Sequence, residues 1–172
     1  MRTYTKTEGA PLEMLYPNPV VLVSCAHEGK DNITTLAWAG TICSDPPLIG
    51  VGIRPSRHSH GLILASREFG VNQPTEEMLA AVKFCGTHSG RDEDKWEATG
   101  LTRSPAKRIK APLILECPVS IECIVRDVYK AGSHDLFIGE VVRMEHDEDW
   151  VENFKPSSLV FLGGNYGKAM LR

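Results

Sequence analysis

The sequence predicts a mainly β fold: an antiparallel β-barrel, closed or partly closed, with short helices packed outside it. Short runs rich in β-branched and aromatic residues recur along the chain, and clusters of Gly, Pro, Asn, Asp and Ser separate them. Helical patterning is confined to short segments, so the regular alternation of strands with long helices that marks a doubly wound nucleotide fold is missing.

Each element follows from its residues. Pro19 to Cys25, with Val20, Val21, Leu22 and Val23, reads as a buried strand, and the polar run His27 to Asn32 as a hairpin connection. A second strand starts near Ile33 within the Thr-, Ala- and Trp-rich stretch Asn32 to Gly40. Ser44-Asp45-Pro46-Pro47 breaks the chain before a third strand, Leu48 to Ile53, so that three strands precede any helix. Pro55-Ser56 opens a helix of about two turns carrying Leu62, Ile63 and Leu64, and Glu68 to Asn72 returns to strand. The next helix has Thr75 as N-cap, Glu76 and Glu77 against its positive end, Met78, Leu79, Val82 and Phe84 as apolar positions, and Gly86 as its stop. Leu113 to Val125 alternates, with Cys117, Val119, Ile121, Cys123 and Val125 on one face and Glu116, Pro118, Ser120 and Glu122 on the other. Pro118 lacks a backbone donor, which predicts an edge strand or a bulge. Leu136 to Met144 and Leu159 to Leu162 are the last strands, the latter ending at Gly163-Gly164.

The length of 172 residues predicts one domain over 1–172, able to bury its own core. With 42% hydrophobic and 24% charged residues and a formal net charge of -3, nothing attracts the chain to nucleic acid. Met1 to Met14 has no apolar leader core and no run approaches the roughly 18 apolar residues of a membrane span, so a cytoplasmic protein is expected. The five cysteines, Cys25, Cys43, Cys85, Cys117 and Cys123, include no C-x-x-C pair. Reduced thiols are therefore expected, and neither Cys85-Gly86-Thr87-His88 nor Cys117 with Cys123 makes a metal site.

No G-x-G-x-x-G, G-x-x-x-x-G-K-[ST] or H-E-x-x-H motif is present, so a bound nucleotide has to be held by other means. Arg54-Pro55-Ser56-Arg57-His58-Ser59 puts guanidinium, hydroxyl and free N–H groups at a helix start, which suits a terminal phosphate. The same residues also fit a plain capped helix with solvated arginines. Asn32 to Ser44 combines small residues, which let backbone approach a flat ligand, with donors and acceptors from Asn, Thr and Ser. Trp38 fits either a place against a ring or the barrel core. The charged run Gly90 to Trp96 is a solvated loop or brings Lys95 to an anion, and His134, after Gly132-Ser133, could face a cofactor or substrate.

Taken together, several stretches resemble the flavin reductase-like family, and most closely its flavoredoxin and ferric-reductase branch. They are Asn32-Ile33-Thr34-Thr35-Leu36-Ala37-Trp38, Cys43-Ser44-Asp45-Pro46-Pro47, Ser56-Arg57-His58-Ser59, Phe69-Gly70-Val71-Asn72, Ser89-Gly90-Arg91-Asp92-Glu93-Asp94-Lys95-Trp96 and His134-Asp135-Leu136-Phe137-Ile138-Gly139-Glu140-Val141, within a resemblance spanning about Pro19 to Tyr166. The resemblance implies an FMN-binding split β-barrel and a homodimer with FMN near the subunit interface. It also implies that Asn32, Thr35 and Trp38 lie beside the isoalloxazine, with Thr41, Cys43 and Ser44 along its continuation. Arg57 and Ser59 match the phosphate-binding positions, Lys95 matches the basic residue of the G-R-D-x-D-K loop, and His134 and Tyr166 are implied near the flavin. His134 and Cys43 are the positions nearest the chemistry.

The activity so implied is an NAD(P)H-dependent reductase in which hydride passes to flavin and on to free flavin, ferric chelate or a redox partner. An electron carrier of the flavoredoxin type, not reduced directly by NAD(P)H, is the alternative, and a barrel that binds no flavin is a third reading. The short stretch after Tyr166 leaves little room for an added NAD-binding element, which makes a weak pyridine-nucleotide preference an expectation.

Overall fold

Val20 to Cys25 shows no polar alternation because both faces of its strand are covered. Val21, Val23 and Cys25 point into one core cluster, and Val20 and Leu22 point into another. The computed structural model describes residues 3–9, 15–152 and 158–169. Five strands, β1 (Asn18–Pro19), β2 (Val21–His27), β3 (Lys30–Leu36), β4 (Ala39–Ser44) and β5 (Pro47–Ile53), precede helix α1 (His58–Ser66). Strand β6 (Glu68–Gln73), a 3₁₀ turn at Glu76–Met78, α2 (Leu79–Thr87), α3 (Lys95–Thr99), β7 (Arg103–Ser104) and β8 (Leu113–Ile114) follow. The long hairpin β9 (Val119–Lys130) and β10 (Asp135–His146), α4 (Glu148–Glu152), β11 (Leu159–Leu162) and β12 (Asn165–Lys168) complete the order.

The main sheet has seven strands in the order β3-β2-β6-β9-β10-β5-β4, with every pairing antiparallel. Its edge strands, β3 and β4, are consecutive in the chain and separated only by Ala37 and Trp38. The sheet must therefore curl until its edges meet, which makes it a barrel with a split between β3 and β4. The stretch read as one strand from Asn32 to Gly40 is thus two, bent at Ala37-Trp38, where the Gly52 N–H donates to the Trp38 carbonyl at 2.8 Å.

The barrel interior is filled by Val21, Val23, Val51, Ile53, Phe69, Val71, Ile121, Cys123 and Phe137, with Leu62 and Ile63 of α1 packed into the same cluster. Outside it, Leu22 and Ile33 meet Val82 and Cys85 of α2 and Trp96 of α3. Gly139 is where the interior is tightest: a Cβ there would lie 2.5 Å from Phe69 Cζ and 2.9 Å from Cys123 Cβ. Gly139→Ala is expected to cost about 1–3 kcal/mol of stability by overpacking, and thermal unfolding followed by circular dichroism checks it.

Four readings of the sequence change. Pro118 stands just before β9, and β9 is an interior strand between β6 and β10; its bulge lies at Arg126, far from the proline. On the polar face of that strand Ser120 and Glu122 are buried, 3% and 0% exposed. Glu122 accepts from the N–H groups of Lys107, Arg108 and Ile109 in the stretch before β8, and the Ser120 hydroxyl donates to Asn72 Oδ1 of β6 at 2.8 Å. Helix α2 runs past Gly86 to Thr87, and Thr75 makes no side-chain cap. Helix α3 was read as a charged loop, but Asp94 caps it by accepting from the N–H groups of Trp96 and Glu97.

Candidate functional site

The bend that splits the barrel also opens a cleft. A cavity of about 300 Å³ is lined by Thr34 to Trp38 from β3 and the bend, Gly52 and Arg54 from the end of β5, Arg57, Gly86, His134 and Phe161. A second cavity of about 150 Å³ continues from Thr34, Arg57 and Gly86 towards Asn32, Ser56, Ser59, Arg91 and Lys95. A third, about 390 Å³ and mostly apolar, lies on the other side of Trp38 and His134, against Thr41, Ile42 and Leu136.

The small cavity is a cationic, donor-rich pocket. Lys95 is 3% exposed because α3 turns it inward, and its ammonium donates to the carbonyls of Ile33 (2.9 Å) and Cys85 (2.8 Å). Burial holds its pKa below the ordinary lysine value, although the Cys85 and Cys25 thiols act the other way. His58 is likewise held below the usual imidazole value, by burial first and then by the charges of Arg91, Lys30 and Lys95. Ser59 is buried in the first turn of α1 and accepts from Asn32 Nδ2 at 2.7 Å. A Cβ on Gly90 would run into the Asn32 amide, so this position requires glycine for the loop to approach β3. Burial pushes the Cys25 thiol up to about 12 and the Cys85 thiol up to about 11, so neither offers a thiolate at neutral pH.

At the other end, Trp38 and His134 form the wall between the cleft and the apolar cavity, their rings tilted with centroids 4.0 Å apart. His134 Nε2 accepts from Arg54 Nε at 3.3 Å. A guanidinium can only donate, so the imidazole proton sits on Nδ1, which meets Ser133 Oγ at 2.9 Å. Among the described residues no carboxylate pairs with Arg54 or Arg57, whereas Arg103, Arg126 and Arg143 are all paired. The two cavities thus carry positive charge that the chain itself does not neutralise.

The structure brings Thr35, Trp38, Arg57 and His134 together around the cleft, and Asn32, Ser59 and Lys95 around the small cavity. Asn32 thus lines the small cavity and not the cleft. The Thr35 hydroxyl is already committed, donating to the Val82 carbonyl at 2.6 Å. Thr41 lines the apolar cavity instead of the cleft. Cys43 and Ser44 line none of the three, and the Cys43 thiol donates to the Asp45 carbonyl. Cys43 pairs with Leu48 at one end of β5, while Asp135 pairs with Ile53 at the other, so Cys43 and His134 are far apart along the sheet. Tyr166 stands behind Phe161, ring centroids 5.6 Å apart edge to face, and it is Phe161 that reaches the cleft. Sequence reasoning missed Phe161, because nothing in a short terminal strand shows which sheet edge it will meet. Arg54 was read as part of a phosphate segment, but its neighbours are Trp38 and His134.

The chain is similar to known proteins over nearly its whole length. The model of the flavin reductase like domain family matches residues 14–170. An NADH:riboflavin 5'-phosphate oxidoreductase of Streptomyces pristinaespiralis is 32% identical over 143 residues, covering 78% of this chain and 73% of that protein. The flavoredoxin of Desulfovibrio vulgaris (Miyazaki F) superposes with a TM-score of 0.89 at 26% identity, over 98% of this chain and 95% of that one. The FMN-binding protein of Thermus thermophilus, solved with bound 1-cyclohex-2-enone, gives a TM-score of 0.85 at 28% identity, over 100% and 99% of the two chains. With its split barrel, its cleft at the split and the match over nearly the whole chain, this protein belongs to the flavin reductase like domain family.

Proposed function

We propose that the chain binds FMN non-covalently in the cleft and its adjoining cationic pocket, and works as an NAD(P)H-dependent oxidoreductase. One observation carries this reading: a flat-sided cleft bounded by Trp38 opens at its far end into a pocket lined by Ser56, Arg57, Ser59 and Lys95, with no carboxylate among its lining residues. That donor set fits a phosphate monoester, and the cleft fits a planar ring joined to it by a short chain. The relatives support the same cofactor, one being an NADH:riboflavin 5'-phosphate oxidoreductase and another an FMN-binding protein.

Bound FMN would supply reversible electron transfer, which no amino-acid side chain offers. The chain's own groups would do the rest. Arg57, Ser59 and Lys95 hold the phosphate, and Trp38 and Phe161 bound the ring space. His134, held by Arg54 through Nε2, borders the cleft beside Trp38. Cys43 has no place in this scheme, because it lines neither cavity.

The reading includes a cytoplasmic homodimer with the cleft near the subunit interface. Its support is local: Trp38 is 40% and Ile42 48% exposed beside the cleft, an apolar surface at the barrel's open edge. A second reading, a flavoredoxin-type electron carrier, is favoured by the likeness to the Desulfovibrio protein. The anaerobic visible spectrum of FMN-loaded protein, recorded before and after NADH or NADPH, separates them. Bleaching within seconds is the expected outcome and identifies a pyridine-nucleotide reductase. A bound flavin that stays oxidised identifies the carrier, and failure to take up FMN overturns both.

A further inference from the structure

We propose that Arg54 is a second anion-binding residue of the cleft, reserved for the anionic group of the molecule that exchanges electrons with the flavin. This rests on the FMN reading above. The phosphate of FMN has its partners in the small cavity, and Arg54 is not among that cavity's lining residues. It lines the cleft at the end occupied by Trp38 and His134, where an incoming reactant must arrive. Arg57 borders both cavities and so separates the two positions.

The guanidinium is presented in a defined way. Its Nε donates to His134 Nε2 at 3.3 Å, which holds the group against the histidine. Among the described residues neither terminal nitrogen of Arg54 has a hydrogen-bond acceptor and no carboxylate pairs with it, and the side chain is exposed. A planar fork whose two outer nitrogens have no acceptor among the described residues suits bidentate binding of phosphate or carboxylate oxygens. Arg103 and Arg126, by contrast, are held in ion pairs, the first with Asp31 and Asp94 and the second with Glu140.

Two sources share that chemistry, the pyrophosphate of a pyridine nucleotide and the carboxylates of a metal chelate. ADP and citrate stand for them. Binding of each to FMN-loaded protein is measured by titration calorimetry for wild type, Arg54→Ala and Arg57→Ala, beside FMN affinity from quenching of flavin fluorescence. Arg54→Ala is expected to weaken ADP or citrate by about tenfold or more, the size of a lost charge-assisted hydrogen bond, while FMN affinity changes far less than in Arg57→Ala. Loss on ADP alone assigns the residue to the electron donor, and loss on citrate alone assigns it to a chelate acceptor. The proposal is overturned if Arg54→Ala binds both probes as wild type does, if wild type binds neither, or if Arg54→Ala loses FMN as severely as Arg57→Ala. Wild-type protein that takes up no FMN would instead refute the parent reading, before any variant is compared.

Discussion

Arg57→Ala is expected to weaken FMN binding by about ten- to hundredfold while leaving riboflavin binding within about threefold. The two flavins share the ring and differ at the phosphate, so the ratio of their losses isolates the phosphate contact. Arg57 occupies the N-cap position of α1, whose first turn also supplies Ser59, and it lines the cationic pocket together with buried Lys95. Arg57 is exposed, so removing it creates no buried orphan and the loss reads directly on the ligand. Parallel titration of FMN and riboflavin by fluorescence quenching checks it. Equal losses for both ligands would move the phosphate elsewhere.

Glu122→Gln is expected to cost about 3 kcal/mol of stability, the lower end for removing one partner of a buried charge pair. For a chain of this size that lowers the midpoint of thermal unfolding by roughly 6–12 °C. The carboxylate is 0% exposed and accepts from Lys107, Arg108 and Ile109 N–H groups and, at 2.9 Å, from Arg143 Nη1. A glutamine amide would turn an N–H₂ group towards some of those donors and leave Arg143 with Glu145 alone. Burial by itself would raise the Glu122 carboxyl, but the Lys107 and Arg108 N–H groups and the Arg143 guanidinium outweigh it and hold it below its ordinary value of 4.5. A carboxyl depressed on folding stabilises the protein fully above that ordinary value, and the contribution is lost as pH falls through the folded value. Wild type should therefore lose stability faster than Glu122→Gln as pH falls below 4.5, a comparison that thermal melts across acid pH would read. Parallel acid limbs would show that Glu122 does not carry the charge assigned to it.

Much of the fold could be read locally because its signals are local. The Val20–Val23 run, the break at Ser44-Asp45-Pro46-Pro47 and the apolar positions of α1 each depend on neighbours a few residues away, and each corresponds to a real element boundary within a few residues. The errors fell where a distant segment changes a residue's surroundings. Ser120 and Glu122 fall on the polar face by alternation, yet both are buried: Asn72 of β6 accepts from Ser120, and the stretch before β8 supplies the N–H donors that make a buried carboxylate tolerable. Asp94 looks like part of a charged loop, and it became a cap only because Lys95 and Trp96 had buried sites to enter.

The candidate site divides along the same line. Residue types and their order within each segment were enough to pick out Trp38, Arg57, Ser59, Lys95 and His134, which line the cleft and its adjoining cavity, and to place the chain in its family. Pairing of distant strands was needed to learn that Cys43 and His134 stand at opposite ends of β5, that Phe161 rather than Tyr166 reaches the cleft, and that Arg54 bonds to His134 and does not line the small cavity. The reason is physical: a side chain's chemistry is written in its own residue, whereas its partners are set by sheet order and register, which the chain fixes only when the barrel closes and its two edges meet at Ala37 and Trp38.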